Sequence, residues 1–104
     1  MIVSFKMQII GEFSSTDDLK KWLDKYNTFD NETISIQKID IERTNKDTIY
    51  IAKIYIACDV LGNLSDSDIK EEIEYMANND DDSFRLFRCQ TRLLPDSIVY
   101  NDSF

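Results

Sequence analysis

The chain is predicted to be α+β, a ferredoxin-like βαββαβ sandwich, from three observations. Residues 3–12 alternate in polarity, as a half-buried strand does. Two segments repeat apolar residues at helical spacing behind serine-rich starts. Two β-branched and aromatic runs flank the short polar turn Thr44-Asn45-Lys46-Asp47, the pattern of a hairpin. With two Gly and one Pro in 104 residues, the composition is that of an ordered chain of one domain, 1–104.

The first strand puts Val3, Phe5, Met7 and Ile9 on one face and Ser4, Lys6 and Gln8 on the other. Ser14, Ser15 and Thr16, followed by Asp17 and Asp18, start a helix, with Ser15 and Asp18 spaced as a capping box. Leu19, Trp22, Leu23 and Tyr26 share its apolar face. The hairpin strands span 33–43 and 48–60. In the first of them the apolar phase flips between Ile36 and Ile39, which predicts a bulge near Gln37–Lys38. In the second, Ala52, Ile54, Ile56, Cys58 and Val60 hold one phase throughout, as in a central strand. Ser65 and Asp68 form a second capping box, with Leu64 and Ile69 as its hydrophobic staple. Ile69, Ile73, Met76 and Ala77 then make the buried stripe of a second helix. Phe84 to Leu94 reads as the last strand, ended by Pro95. Residues 95–104 are left as a C-terminal tail with no assigned element.

Helices follow the first and third strands. Right-handed crossovers therefore place both on one side of a four-stranded antiparallel sheet of order 4-1-3-2. In that order the strands bearing Cys58 and Cys89 are two spacings apart, roughly ten ångströms, too far for a disulfide. Free thiols in a reducing cytoplasm are expected, since Met1 to Ile10 has no uninterrupted apolar core like that of a signal peptide. No run approaches the ~18 apolar residues of a membrane span, so no membrane association is expected.

The charge is unevenly distributed. Nine acids and one base, Lys70, lie between Asp59 and Asp82, and they account for the entire net charge of −8. On a helical wheel over 66–78, Asp68, Glu71, Glu74, Tyr75 and Asn78 lie opposite the apolar stripe, with Glu72 at its edge. Clustered like charge raises the free energy of the compact state, which points to a surface that meets something cationic. The contact residues expected from this pattern are Asp68, Glu71, Glu72, Glu74, Tyr75, Asp80, Asp81 and Asp82. Tyr75 would be an aromatic anchor among charges.

Catalysis is not expected. There is no His, no Gly-rich phosphate loop, no nucleophile elbow and no zinc spacing. The loop after the first strand, Gly11-Glu12-Phe13-Ser14-Ser15, lacks the Arg that an acylphosphatase-like phosphate cradle needs. Asp66-x-Asp68 and Asp80–Asp82 offer oxygen donors, but the Gly and the bidentate Glu of an EF-hand are missing, so neither metal nor cofactor is expected. Lys6, Gln8, Lys53, Tyr55, Arg88, Gln90 and Arg92 would form a basic outer sheet face with one aromatic. Without stacking aromatics on the first strand, direct nucleic-acid binding is not expected there.

In size and charge the chain resembles the small acidic anti-restriction and anti-CRISPR inhibitors of phages and mobile elements. That likeness is compositional and covers no motif. The expectation is a non-enzymatic cytoplasmic protein, monomer or homodimer, that blocks the basic surface of a nucleic-acid-binding protein. The alternative is a ferredoxin-like dimeric regulatory or small-ligand-binding module.

Overall fold

A computed structural model describes residues 1–26, 29, 33–58, 64–78 and 90–101. Seven elements follow in order: β1 (Ile2–Ile10), α1 (Thr16–Tyr26), β2 (Ile34–Arg43), β3 (Ile49–Cys58), α2 (Asp66–Ala77), β4 (Gln90–Leu93) and β5 (Val99–Asn101). The fold is α+β, with one antiparallel sheet and two helices.

The alternation read from the sequence sets the faces of β1. Val3, Phe5, Met7 and Ile9 are fully buried, and their partners on β3 are Ile56, Ile54, Ala52 and Tyr50. Both helices lay their apolar stripes on this face. Leu19, Trp22 and Leu23 of α1 and Ile69, Ile73, Met76 and Ala77 of α2 join one core cluster with it. Each large aliphatic or aromatic side chain so buried stabilises the fold by about 1.5–3 kcal/mol, which makes this layer the main driving force. Phe13 closes the end of the core, edge-on to Trp22 and Tyr50 with ring centroids 5.7 and 6.0 Å away.

The strands run β2-β3-β1-β4 along the sheet. The register of β2 against β3 shifts between Ile36 and Lys38, which leaves Gln37 as the extra residue of a bulge where the apolar phase flips. Because β3 occupies one side of β1 from Ile2 to Ile10, the pairing of β5 with Ile2–Ser4 falls on the β4 side. The expected four-stranded sheet is therefore five-stranded. The correction comes from the C-terminal tail, which supplies β5 and completes the edge that β4 begins.

How one edge is shared between two short strands can be traced residue by residue. β4 pairs with Met7–Ile10 and β5 with Ile2–Ser4. Between them the chain turns at Leu94-Pro95-Asp96-Ser97, closed by Ser97 N–H to the Leu94 carbonyl at 3.4 Å. Pro95 at the second position and Asp96 at φ 59° in the third are the signature of a type II turn. The Ser97 hydroxyl then takes the place of a missing ladder partner. It accepts the Lys6 N–H at 3.1 Å, and its own proton lies within reach of the Leu94 carbonyl at 2.8 Å and the Lys6 carbonyl at 3.1 Å.

The helix starts differ in detail. At α2 both halves of the predicted capping box form: Asp68 N–H donates to the Ser65 hydroxyl at 3.2 Å and Ser65 N–H to the Asp68 carboxylate at 3.3 Å. At α1 Asp18 N–H donates to the Ser15 hydroxyl at 3.2 Å, while the Asp18 carboxylate accepts from the Ser14 hydroxyl. Cys58 is a buried free thiol, and burial pushes its pKa up. Cys89, like the expected strand residues 84–89, lies outside the described residues. Among the described residues, no helix is long and apolar enough to cross a membrane.

Candidate functional site

The candidate contact surface is the outer side of α2. Asp66 and Asp68 stand in its first turn, at the positive end of the helix dipole, where carboxylates are favourable. Of the residues expected from the sequence, Asp68, Glu71, Glu74 and Tyr75 are exposed and Glu72 is half-buried. Asp80, Asp81 and Asp82 lie outside the described residues. Tyr75 is 64% exposed and sits one turn beyond Glu71 and Glu72. Asp68 has a structural duty as well, since its carboxylate caps the helix through Ser65 N–H.

Among the described residues the only ion pair on α2 is Lys70–Glu74, 4.0 Å apart and well exposed. A surface pair of this kind contributes about 0.3–0.5 kcal/mol. Asp66, Glu71 and Glu72 have no cationic partner among the described residues, so their charge is displayed to solvent. Of the final-strand arginines, Arg92 is exposed and pairs across the ladder with Gln8, on the sheet face away from the helices. Arg85 and Arg88 lie outside the described residues. No group of three or more Cys, Asp or Glu gathers as a metal site among the described residues.

Beside this surface runs a cleft that sequence reasoning missed. The row Asp66, Lys70, Glu74, Asn78 repeats every fourth residue and faces the β4–β5 edge. At one end the Asn78 side-chain carbonyl accepts Leu93 N–H at 2.8 Å. At the other, the Tyr100 hydroxyl donates to the Asp66 carbonyl at 3.3 Å. The two tethers are twelve positions apart along the helix, a span of about 18 Å. Between them lies a cavity of about 410 Å³, with Lys70 and Glu74 on the helix side and Leu93, Ile98 and Tyr100 on the strand side, Pro95 and Asp96 of the turn completing its lining. The Tyr100 pKa is raised, first by burial and then by Asp66, Cys58 and Glu74 nearby. The usable signal in the sequence was Ile98-Val99-Tyr100, a short β-branched and aromatic run behind a Pro-Asp turn.

Among the described residues, no helix packs on the opposite face of the sheet. Lys38 and Lys53 both approach the Tyr55 ring, their Nζ atoms 5.5 and 5.2 Å from its centroid, and Lys38 also pairs with Asp40 at 3.5 Å. Lys6 lies directly across from Lys53. Ile10 and Val99 are exposed large apolar residues on the same side.

No family model, curated protein or solved structure matches this chain.

Proposed function

We propose that the chain is a non-enzymatic, cytoplasmic acidic protein whose α2 surface docks on a basic, nucleic-acid-binding surface of a partner protein and blocks it. The biological setting proposed is that of a phage-type inhibitor of host defence, such as an anti-CRISPR or anti-restriction protein. The observation that carries the reading is Tyr75, 64% exposed and one turn from Glu71 and Glu72, neither of which has a cationic partner among the described residues. A large aromatic held in solvent among unpaired carboxylates supplies both an anchor and a steering field for a cationic surface. Carboxylates a turn apart then occupy the places that phosphates would take. Asp80, Asp81 and Asp82 extend the acidic sequence beyond the helix. The strand order β2-β3-β1-β4 with two helices over one face supports a ferredoxin-like scaffold, to which β5 is an addition.

The test is binding of the purified chain to basic nucleic-acid-binding proteins of its host, measured over a salt series and in competition with an oligonucleotide. Binding should fall steeply with salt and be displaced by the oligonucleotide. The combined substitutions Glu71→Gln, Glu74→Gln and Asp81→Asn should abolish it. Unchanged binding by that variant reduces the acidic surface to a solvated face. The second reading, a dimeric module, is favoured by the sheet face that no helix covers among the described residues, with its exposed Ile10 and Val99. It predicts a dimer by light scattering at low concentration that the same three substitutions leave intact.

A further inference from the structure

We propose that the cleft between α2 and the β4–β5 edge receives an arginine side chain of the partner. The inference rests on the docking surface proposed above and names the side chain that this part of the surface engages. The cleft opens on the same helix as the acidic surface, since Glu74 belongs to both. Its volume of about 410 Å³ is within the range of small-ligand pockets.

The lining is two-sided in a way that suits one kind of side chain. Leu93, Ile98 and the Tyr100 ring offer an apolar wall for a methylene stem, and Glu74 and Asp96 offer carboxylates for its cationic head. An apolar occupant would leave the Asp96 carboxylate unpaired, and an acidic one would be repelled by both carboxylates. Arginine fits better than lysine. Its guanidinium is planar, weakly hydrated, pairs with a carboxylate through two N–H groups and stacks on a tyrosine ring. Lysine's ammonium is a strongly hydrated point charge and gains less at a half-open site. Lys70, 4.0 Å from Glu74, marks where a cation already sits on the helix side of the cleft. An incoming guanidinium competes with it for Glu74 and finds Asp96 without a cationic partner among the described residues.

This assignment makes substitutions act in opposite directions. The test is a titration of the ¹⁵N-labelled full-length chain with N-acetyl-arginine amide, its lysine counterpart, and the citrulline counterpart, which keeps the arginine shape without the charge. Arginine should shift the amides of residues 70–74 and 93–100 and bind at least about threefold more tightly than lysine, with citrulline silent. Asp96→Asn retains a residue type that tolerates a positive φ, and should weaken binding about threefold to fivefold. Lys70→Gln should tighten it by a similar factor, because Glu74 is released. Equal shifts from arginine and citrulline overturn the assignment, as does the absence of any shift. Shifts confined to the outer side of α2, around Glu71 and Tyr75, overturn the cleft while leaving the docking surface standing. Arginine binding in the cleft, combined with unchanged capture of basic proteins by a Glu71→Gln, Asp81→Asn variant that keeps Glu74, supports the cleft and removes the outer docking surface.

Discussion

Replacing Ser97 by alanine tests how the cleft wall is held. The Ser97 hydroxyl accepts Lys6 N–H at 3.1 Å and donates its single proton near the Leu94 carbonyl, 2.8 Å away. Alanine removes both interactions at the one point where the β1 edge has no strand opposite it. Each hydrogen bond of this type contributes about 0.5–1.5 kcal/mol net, and partial replacement by water at an exposed site keeps the combined loss near ~1–2 kcal/mol. For a domain of about this size that corresponds to a fall in Tm of roughly 4–16 °C. Calorimetry reads the stability. Hydrogen exchange reads the location: the amides of Ser4 and its β5 partner Val99 should exchange faster, while those of the β1–β3 ladder stay protected. Ser97→Thr keeps the hydroxyl and should recover most of the loss. A Tm within about 2 °C of the parent, with exchange unchanged at Ser4 and Val99, would refute the view that one hydroxyl ties the β4–β5 connection to β1.

Three other outcomes follow from the same geometry. Asn78→Ala should expose Leu93 N–H, bonded to the Asn78 side chain at 2.8 Å, and cost about 1 kcal/mol, visible as faster exchange of that amide; a fully protected Leu93 amide would show that another group covers the edge. Ser65→Ala should cost about 1 kcal/mol by removing the acceptor of Asp68 N–H, whereas Ser65→Gly, whose backbone takes the cap conformation readily, should cost only a few tenths, a contrast that urea unfolding resolves. Tyr100 has its pKa raised in the folded state, so the folded chain holds that proton more tightly than the unfolded chain does. Its contribution is complete below the ordinary tyrosine value of about 10 and fades as pH rises through the elevated folded value. The stability difference between the parent and Tyr100→Phe should therefore narrow in alkaline urea titrations; a difference that stays flat would show that the phenol ionises alike in both states.

What was legible in the sequence is what short-range physics writes into adjacent residues. The faces of β1 follow from a period of two over Val3 to Ile9, because a residue on the wrong face would leave the core. The bulge at Gln37 follows from a single phase flip. The cap at Ser65 follows from a hydroxyl and a carboxylate three positions apart, whose bonds close within one turn. The outward position of Glu71 and Tyr75 follows from the helical period once Ile69, Ile73 and Met76 are assigned to the core.

The edge and the cleft were decided only by the tertiary structure. Lys6 and Ser97 are 91 positions apart, and Tyr100 meets Asp66 across 34. Nothing in either neighbourhood encodes such a meeting. β5 is three residues long, too short for a repeating pattern, and it forms because β1 offers unpaired backbone groups beyond the end of β4. That demand arises only after the sheet has assembled. Local pattern specified the apolar stripes and the charged positions, since these belong to each side chain and its near neighbours, whereas the burial of Ser4 and Thr91 came with the assembled sheet. Where the tail lands, and so which carboxylates come to border an apolar cleft, depends on contacts that exist only in the folded chain.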